Sequence, residues 1–274
     1  MTRVAIIAAM AGELKPLVRG WRHERRNGVE LWRWKFDEGE WVAACAGAGV
    51  DAAMRAFAEV ERDGAIDLVI SVGWVGALSE ELETGRVYEV SGVIDARTGE
   101  RFETEELEVT ERNGVVYSHP SDKNKDVARV GHPGPSQSLV GHPDLWLVTS
   151  PKVADEVEKR RLAATYGAEL VDMEAAGVAR LAAMRAIPFY CVKGVSDGIH
   201  DQLPDFNRFI SDEGQFRLAR FILFVLIRPW HWSALMRMGE NSKKAALGIR
   251  ESLLENLDRR GTIRNRNGYP NLKR

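Results

Sequence analysis

Three acidic residues follow or close segments whose composition is typical of buried strands. Glu13 comes after "VAIIAAMAG", Glu174 lies within "LVDMEAAGVARLAA", and Asp197 closes "CVKGVSD". In an open α/β sheet, ligands bind at the carboxyl ends of the strands, so we expect the three carboxylates to meet at one edge of the sheet. Carboxylates brought together in this way can act as general acid and general base on a small polar substrate.

Each of these acids also has a purely structural interpretation. Glu13 and Glu174 both stand at the start of predicted helices, where a carboxylate is stabilised by the helix dipole. Asp197 precedes a glycine in "SDG", a sequence that is common in turns, and could simply cap one. The residue pattern alone therefore leaves the function open.

Other residues at the same strand ends complete the candidate set. The turn "AGAG" lacks the third glycine of a dinucleotide-binding fingerprint, and close packing of a helix on a strand explains it. By position, the candidates for substrate contact are Met10, Trp74, Val75, Gly76, Ser150, Met173, Lys193 and Ser196.

Short apolar runs alternate with alanine-rich runs along most of the chain. We predict strands at 3–9, 31–36, 40–45, 68–72, 86–96, 145–150, 168–171 and 188–197, with a hairpin turn at "DEGE". We predict helices at 51–62, 153–166 and 175–185. Apolar strands that alternate with helices indicate a three-layer α/β/α fold with a twisted mixed, mainly parallel sheet.

Two segments depart from this alternation. Residues 118–142 are polar and rich in Pro, Gly and His, which predicts a long loop. From residue 229 onward we predict a polar helix, at about 233–256, and a frayed basic tail. We therefore divide the chain into a domain at 1–228 and a C-terminal extension at 229–274.

The composition excludes several classes of protein. A formal net charge of −2 over 274 residues argues against electrostatic nucleic-acid binding. Cys45 and Cys191 lie in apolar stretches, which predicts buried thiols in a reducing cytoplasm and no zinc site. His119, His132 and His142 are irregularly spaced in the predicted loop, so we expect no metal site there. The first apolar run is too short for a signal peptide, and no apolar stretch reaches the roughly 18 residues of a membrane span.

The strand-end segments, in this order, resemble the purine nucleoside phosphorylase and methylthioadenosine–adenosylhomocysteine nucleosidase superfamily. "VAIIAAMAGEL" resembles its first strand with the catalytic glutamate, and "CAGAGVDAAMRA" its glycine turn and following helix. "VISVGWVGAL" with "ETGRVYEV" resembles its TG-x-AGGL…GD segment. "VDMEAAGVARLA" resembles its V-x-MEA helix start, and "KGVSDG" its R-x-I-S-D strand end. The resemblance covers roughly residues 3–225.

This resemblance implies a role for each acid. Asp197 would protonate, or hydrogen-bond to, N7 of a purine, which makes the base a neutral leaving group. Glu174 would accept hydrogen bonds from the ribose 2′- and 3′-hydroxyls, with Met173 beneath the ribose. Glu13 would activate the attacking water. Such a site stabilises an oxocarbenium-like transition state from both sides of the sugar.

The resemblance also implies roles for neighbouring residues. Ser196 would orient Asp197, Ser150 and Pro151 would border the base, and Phe206 would face the 5′ substituent. No cofactor and no metal are implied. Family members form dimers or larger oligomers in which a neighbouring subunit closes the 5′ pocket, so we expect a homo-oligomer, with a dimer favoured.

The sequence departs from the family pattern at informative positions. The arginines that hold phosphate in bacterial purine phosphorylases have no counterpart in "SVGW" or "AMAGE", so hydrolysis is favoured over phosphorolysis. Trp74 replaces a serine that helps to hold the water in nucleosidases. Lys193 replaces an arginine, which keeps the charge and loses the planar fork.

A narrower resemblance bears on the 5′ substituent. "LVTSPKVADEVEKRRLAATYGAELVDMEAAGVARLA" resembles the hopanoid-associated phosphorylase branch, which implies a lipid nucleoside such as adenosylhopane. "RFILFVLIRPWHWSALMRM", with Trp230 and Trp232, precedes a basic tail, a combination suited to a membrane interface. The alternative interpretation is a core helix whose tryptophans cover a subunit contact.

Together these observations predict a cytoplasmic N-ribosyl hydrolase that acts on an adenine nucleoside with a 5′ substituent. One alternative is phosphorolysis, or cleavage of a lipid nucleoside in contact with the inner membrane face. A second is a catalytically weak nucleoside-binding protein, because the indole of Trp74 could fill the place of the water.

Overall fold

The computed structural model describes residues 2–36, 39–105, 145–201, 204–211, 214–226 and 228–259. Within these residues eleven strands form one mixed sheet: β1 (Thr2–Ala8), β2 (Arg22–Arg26), β3 (Val29–Phe36), β4 (Gly39–Cys45), β5 (Leu68–Ala77), β6 (Val87–Glu89), β7 (Gly92–Asp95), β8 (Arg101–Glu103), β9 (Trp146–Thr149), β10 (Leu170–Asp172) and β11 (Phe189–Asp197). The helices are α1 (Ala11–Leu14), α2 (Val50–Glu61), α3 (Glu156–Tyr166), α4 (Ala175–Arg185), α5 (Leu218–Leu226) and α6 (Trp232–Arg259). Two short 3₁₀ turns lie at Phe206–Phe209 and Pro229–His231.

Both faces of the sheet are covered, as the apolar strands predicted. Along β1, Ala5 and Ile7 belong to a buried cluster that includes residues of α2 and α4. The alternating residues, such as Ile6, belong to a second cluster that includes Ile249 and Leu253 of α6. The predicted α/β/α layering is confirmed.

The parallel strands lie at the centre of the sheet and the antiparallel strands at its edges. Strand β5 pairs in parallel with β1 near its start and with β11 along most of its length. Its last residues pair with β10, which runs antiparallel to it. The pairs β2–β3, β3–β4, β7–β8 and β6–β11 are also antiparallel, and the pairs β1–β4, β9–β10 and β7–β9 are parallel.

Several predicted elements are confirmed, and two need correction. Helix α4 has the predicted bounds, and the hairpin around "DEGE" is the antiparallel pair β3–β4. The single strand predicted at 86–96 is wrong. This segment forms two strands with different partners, because β6 pairs with β11 and β7 pairs with β9. Helix α3 starts at Glu156 rather than at the predicted 153, because the side chain of Asp155 accepts a hydrogen bond from the Glu158 amide and caps the helix.

The C-terminal helix packs on the sheet. Helix α6 is slightly longer than predicted, and it buries Ala245, Ala246, Ile249 and Leu253. At Gly194 of β11 an added Cβ would lie 2.5 Å from the Ala245 Cβ, so the helix approaches this strand closely. The boundary after residue 228 stays a prediction.

Other sequence predictions concern features outside or beside the sheet. The loop predicted at 118–142, with its three histidines, and the tail beyond residue 259 lie outside the described residues. Cys45 and Cys191 are buried as predicted, and burial raises the pKa of both thiols to about 12. No described helix is long and apolar enough to cross a membrane.

Candidate active site

The carboxyl ends of β1, β4, β5, β10 and β11 border one cavity of about 1110 Å³. The carboxylates of Glu13, Glu174 and Asp197 all line it, so the convergence expected from strand-end position is present. Each of the three residues is at least nine-tenths buried. The arrangement places three acidic groups around one space large enough for a nucleoside-sized ligand.

Glu13 is held by backbone amides from two strand ends. Its Oε2 accepts hydrogen bonds from the amides of Ala9 (2.9 Å) and Met10 (2.8 Å), and its Oε1 accepts one from Trp74 (2.8 Å). Burial raises the pKa of Glu13, although these hydrogen bonds and the charge of Lys193 oppose the shift. A carboxylate with a raised pKa is a stronger base, which suits removal of a proton from water.

Glu174 occupies the N-cap position of α4 and faces the start of α2. Its Oε1 accepts a hydrogen bond from the Gly49 amide at 2.7 Å, and its Oε2 accepts one from the Met173 amide at 3.2 Å. Burial, followed by the negative charge of Asp172, raises the pKa of Glu174 to about 8. Hydroxyl donors of a bound sugar would favour the ionised form of this carboxyl group.

Both carboxylate oxygens of Asp197 accept hydrogen bonds from neighbouring side chains. The Ser196 hydroxyl donates to Oδ1 at 2.6 Å, and the Lys159 ammonium donates to Oδ2 at 2.5 Å. Lys159 also donates to the Gly198 carbonyl at 2.6 Å, and its side chain is 3% exposed. A buried lysine on α3 therefore accompanies the acid predicted to serve the base.

A second buried ion pair supports the site from below. Lys193 lies 2.9 Å from Asp172 Oδ2 and donates to the Ser71 hydroxyl at 3.1 Å. Burial acts to lower the pKa of Lys193, and the negative groups around it, Asp172 first, together raise that pKa. Asp172 in turn accepts hydrogen bonds from the Thr149 hydroxyl and from the Ala175 amide at the start of α4. This pair fixes the turn that carries Glu174.

The indole of Trp74 spans the space between α1 and α6. Its Nε1 donates to the Ser242 carbonyl at 2.9 Å, and its ring lies where a Cβ on Gly12 would come within 3.0 Å. The contact between Trp74 and Glu13 is made by the backbone amide. The indole is thus tied to the side of the cavity formed by α6.

The predicted substrate contacts fall into three groups. Met10, Trp74, Val75, Gly76, Met173, Ser196 and Phe206 line the same cavity as the three acids. Pro151 lines a smaller neighbouring cavity of about 360 Å³. Ser150 and Lys193 are each 1% exposed and border neither cavity, so the structure places them behind the surface that a ligand would touch.

The cavity is chemically different at its two ends. Away from the acids it continues between the 3₁₀ turn at 206–209, α5 and α6, where its lining is apolar: Phe206, Ile210, Phe216, Phe221, Leu235 and Met238. We call this part the apolar arm. Nearer Glu13 the lining includes the cationic residues Lys15, Arg19 and Arg25.

Sequence reasoning missed Lys159 and Asp172 as parts of the site. Lys159 precedes the buried Leu162 by three residues and so lies on the same face of α3. A lysine on an apolar helix face needs a buried acidic partner, and that signal could have identified it. Among the described residues, no group of three or more His, Cys, Asp or Glu side chains is arranged to hold a metal ion.

Solved structures of known enzymes share this fold. Futalosine hydrolase of Helicobacter pylori strain 26695 is 15% identical, with a TM-score of 0.64 over 94% of this chain and 97% of that chain. The 5′-methylthioadenosine nucleosidase of Arabidopsis thaliana is 15% identical, with a TM-score of 0.63 over 98% of each chain. The 5′-methylthioadenosine/S-adenosylhomocysteine nucleosidase of Neisseria meningitidis is 17% identical, with a TM-score of 0.62 over 94% of this chain and 99% of that chain. At these identities the likeness establishes the fold alone.

Family membership follows from the sequence. No curated protein matches this chain significantly. The family model described as the phosphorylase superfamily matches residues 3–226, which is most of the chain and includes all three acids. A nucleosidase- or phosphorylase-type enzyme, as predicted, agrees with this match. The chain belongs to the phosphorylase superfamily.

Proposed function

We propose that the protein hydrolyses the N-glycosidic bond of a purine nucleoside that carries a 5′ substituent. The observation that carries this proposal is the set of three buried carboxylates on one cavity, each held by different partners. Their surroundings suit different tasks, because Glu13 and Glu174 have raised pKa values while Asp197 is paired with a cation.

The proposed chemistry assigns one task to each acid. Asp197 delivers a proton to N7, so that the electron pair of the C1′–N9 bond can pass into the purine ring. Glu174 accepts hydrogen bonds from the ribose hydroxyls and stabilises positive charge on the sugar. Glu13 removes a proton from water as the water oxygen bonds to C1′.

Adenine is the base that we propose, and hydrolysis is the reaction. Two of the similar structures are nucleosidases named for methylthioadenosine, which supports adenine without establishing it. Phosphorolysis is the alternative, and the cationic residues Lys15, Arg19 and Arg25 on the cavity lining are what would support it. All three side chains are exposed, whereas buried charge-assisted donors would be needed to hold a phosphate dianion firmly.

The apolar arm supports a second candidate, a nucleoside with a bulky apolar 5′ group such as adenosylhopane. A cavity of about 1110 Å³ slightly exceeds the usual range for ligand pockets, which is roughly 300–1,000 Å³. The rings of Phe206 and Phe216 both pack against Phe221, with centroid distances of 5.3 and 5.2 Å, and together form an apolar wall. Such a wall would favour hydrocarbon over water.

The predicted homo-oligomer is also a proposal. Exposed apolar side chains on α5, α6 and the turn between them, including Leu223, Trp230 and Met236, fit a contact between subunits. Light scattering of the purified protein measures the oligomeric state directly.

The proposed reaction is tested by measuring base release with and without phosphate. We expect adenine release from 5′-methylthioadenosine in phosphate-free buffer, and a fall of roughly 10²- to 10⁴-fold in kcat for Asp197→Asn. Release that requires phosphate and yields a ribose 1-phosphate would replace hydrolysis by phosphorolysis. Longer 5′-alkylthio substrates, included in the same panel, should gain in kcat/KM if the 5′ group enters the apolar arm.

A further inference from the structure

We infer that Lys159 is the source of the proton that Asp197 passes to the departing purine. This inference rests on the proposed function, because it concerns how the same site makes its leaving group neutral. It adds to the site a residue that neither the strand-end positions nor the family motifs indicate.

The ammonium group of Lys159 contacts the carboxylate of Asp197 directly. Lys159 Nζ lies 2.5 Å from Asp197 Oδ2 and 2.6 Å from the Gly198 carbonyl oxygen. An ammonium has three N–H donors, so these two contacts leave one for a bound ligand. Lys159 is itself part of the cavity lining, which gives that third donor access to the ligand space.

Neighbouring residues allow and fix this approach. Gly76 lies beneath the pair, and a Cβ there would come within 3.1 Å of Asp197 Oδ2 and 3.0 Å of Lys159 Cε. Any side chain at position 76 would therefore push the pair apart. Leu162, fully buried one turn further along α3, anchors the helix that carries Lys159.

Asp197 needs a proton source because its oxygens already accept hydrogen bonds. Ser196 donates to Oδ1 and Lys159 donates to Oδ2, which is the pattern of a carboxylate that carries no proton of its own. A carboxylate can accept a hydrogen bond from a purine but cannot protonate N7. The adjacent ammonium holds the proton that is missing.

The transfer balances without any group beyond water. A proton moves from Nζ to Oδ2 of Asp197, and Asp197 gives a proton to N7 as the C1′–N9 bond breaks. The Ser196 hydroxyl donates to the other oxygen, Oδ1, and so holds the carboxyl group in place while Oδ2 takes the proton. Lys159 is left as a neutral amine and regains a proton from solvent. Glu13, which took a proton from the attacking water, returns one to solvent.

A structural salt bridge would predict something different. If Lys159 merely held Asp197 in place, its loss would slow every substrate alike. If Lys159 supplies the proton, its loss should harm substrates whose leaving group needs protonation and spare those whose leaving group does not. A p-nitrophenyl riboside with the same 5′ group is such a substrate, because nitrophenolate leaves as a stable anion.

The test compares both substrates in the wild type, Lys159→Met, Lys159→Gln and Lys159→Arg. Lys159→Gln keeps an N–H donor but no transferable proton, whereas Lys159→Arg keeps the charge. Arg160→Met is the matched control, because it removes a cation from the solvent-exposed face of the same helix. Thermal melting of each variant establishes that it is folded, and the Gln variant carries the comparison if the Met variant does not fold.

We expect Lys159→Met and Lys159→Gln to lose roughly 10²- to 10⁴-fold in kcat with the purine nucleoside and less than about threefold with the nitrophenyl riboside. Lys159→Arg keeps the charge but cannot give up its proton, so its purine activity should fall as in the Met and Gln variants. Arg160→Met should match the wild type.

Equal losses with both substrates would show that Lys159 only holds the structure. Unchanged purine cleavage in the Met and Gln variants would remove it from the reaction altogether. If the wild type cleaves neither substrate, the proposed function fails and this inference falls with it.

Discussion

At the scale of single residues, the site depends on burying charge next to charge. Glu174 lies between the buried Asp172 and the amide of Gly49, and its pKa is raised to about 8. The ion pair between Lys193 and Asp172 supplies the positive charge that keeps this shift from being larger. Glu174 therefore binds its proton more tightly than an exposed glutamate does, and hydroxyl donors would oppose this shift of its pKa.

This raised pKa predicts a particular dependence of stability on pH. The Glu174 carboxyl titrates near 4.5 when the chain is unfolded and near 8 when it is folded, so the folded state binds more protons between these values. The free energy of unfolding should consequently fall as pH rises from about 5 to about 8. Urea unfolding at several pH values measures it, and Glu174→Gln should flatten the dependence. Parallel curves for the two proteins would contradict the shifted pKa.

The three acids and one partner, Ser196, could be predicted from sequence, and the other partners could not. Glu13, Glu174 and Asp197 follow strand ends, and strand ends are visible as apolar runs. The pairing of Lys159 with Asp197 joins residues that lie 38 positions apart, so nothing local indicates it. Lys193 was predicted to touch substrate from its position near the end of a strand. Position along a strand does not show how deeply a side chain is buried, and the Lys193 side chain lies behind the cavity wall.

At the scale of elements, the packing of α6 on β11 shapes one wall of the cavity. Gly194 of β11 faces Ala245 of α6, and a Cβ at this glycine would lie 2.5 Å from the Ala245 Cβ. The same helix accepts the Trp74 indole hydrogen bond through the Ser242 carbonyl. Displacing α6 should therefore disturb the fold and the site together.

Two glycine substitutions distinguish the contact between Gly194 and Ala245 from the general effect of adding a methyl group to a glycine. Gly194→Ala should lower the free energy of unfolding by about 1–3 kcal/mol, because the strand and helix would have to move apart. Gly239→Ala, also involving α6 but at a position where a Cβ meets nothing within 4 Å, should raise it by about 0.5–1 kcal/mol. Chemical denaturation measures both variants. A Gly194→Ala protein as stable as the wild type would show that the contact is looser than described.

The elements themselves were largely visible in the sequence, and the errors have physical causes. The alternation of apolar runs with alanine-rich runs located α2, α4 and the central strands. The run at 86–96 contains no proline, and its division into β6 and β7 is decided by pairing partners that are distant in sequence. The predicted start of α3 was too early, because the helix is capped by Asp155 and the residues before this cap are not helical.

At the scale of the whole molecule, the layered fold produces a cavity with one polar and one apolar end. Strand ends from the centre of the sheet supply the acids, and α5, α6 and the 3₁₀ turn at 206–209 supply the apolar arm. A purine nucleoside with an apolar 5′ group matches this division, with its glycosidic bond at the acids and its 5′ group in the arm. The central claim is that water, activated by Glu13, cleaves that bond.

The most direct test follows the oxygen atom of the water. The wild type would act on 5′-methylthioadenosine in ¹⁸O-labelled water without phosphate, and mass spectrometry would examine the sugar formed at early times. We predict one ¹⁸O atom at C1′ of the released sugar, formed with adenine, and loss of most of this activity in Glu13→Gln. Base release that leaves no ¹⁸O at C1′, or full activity in Glu13→Gln, would contradict hydrolysis by water activated at Glu13.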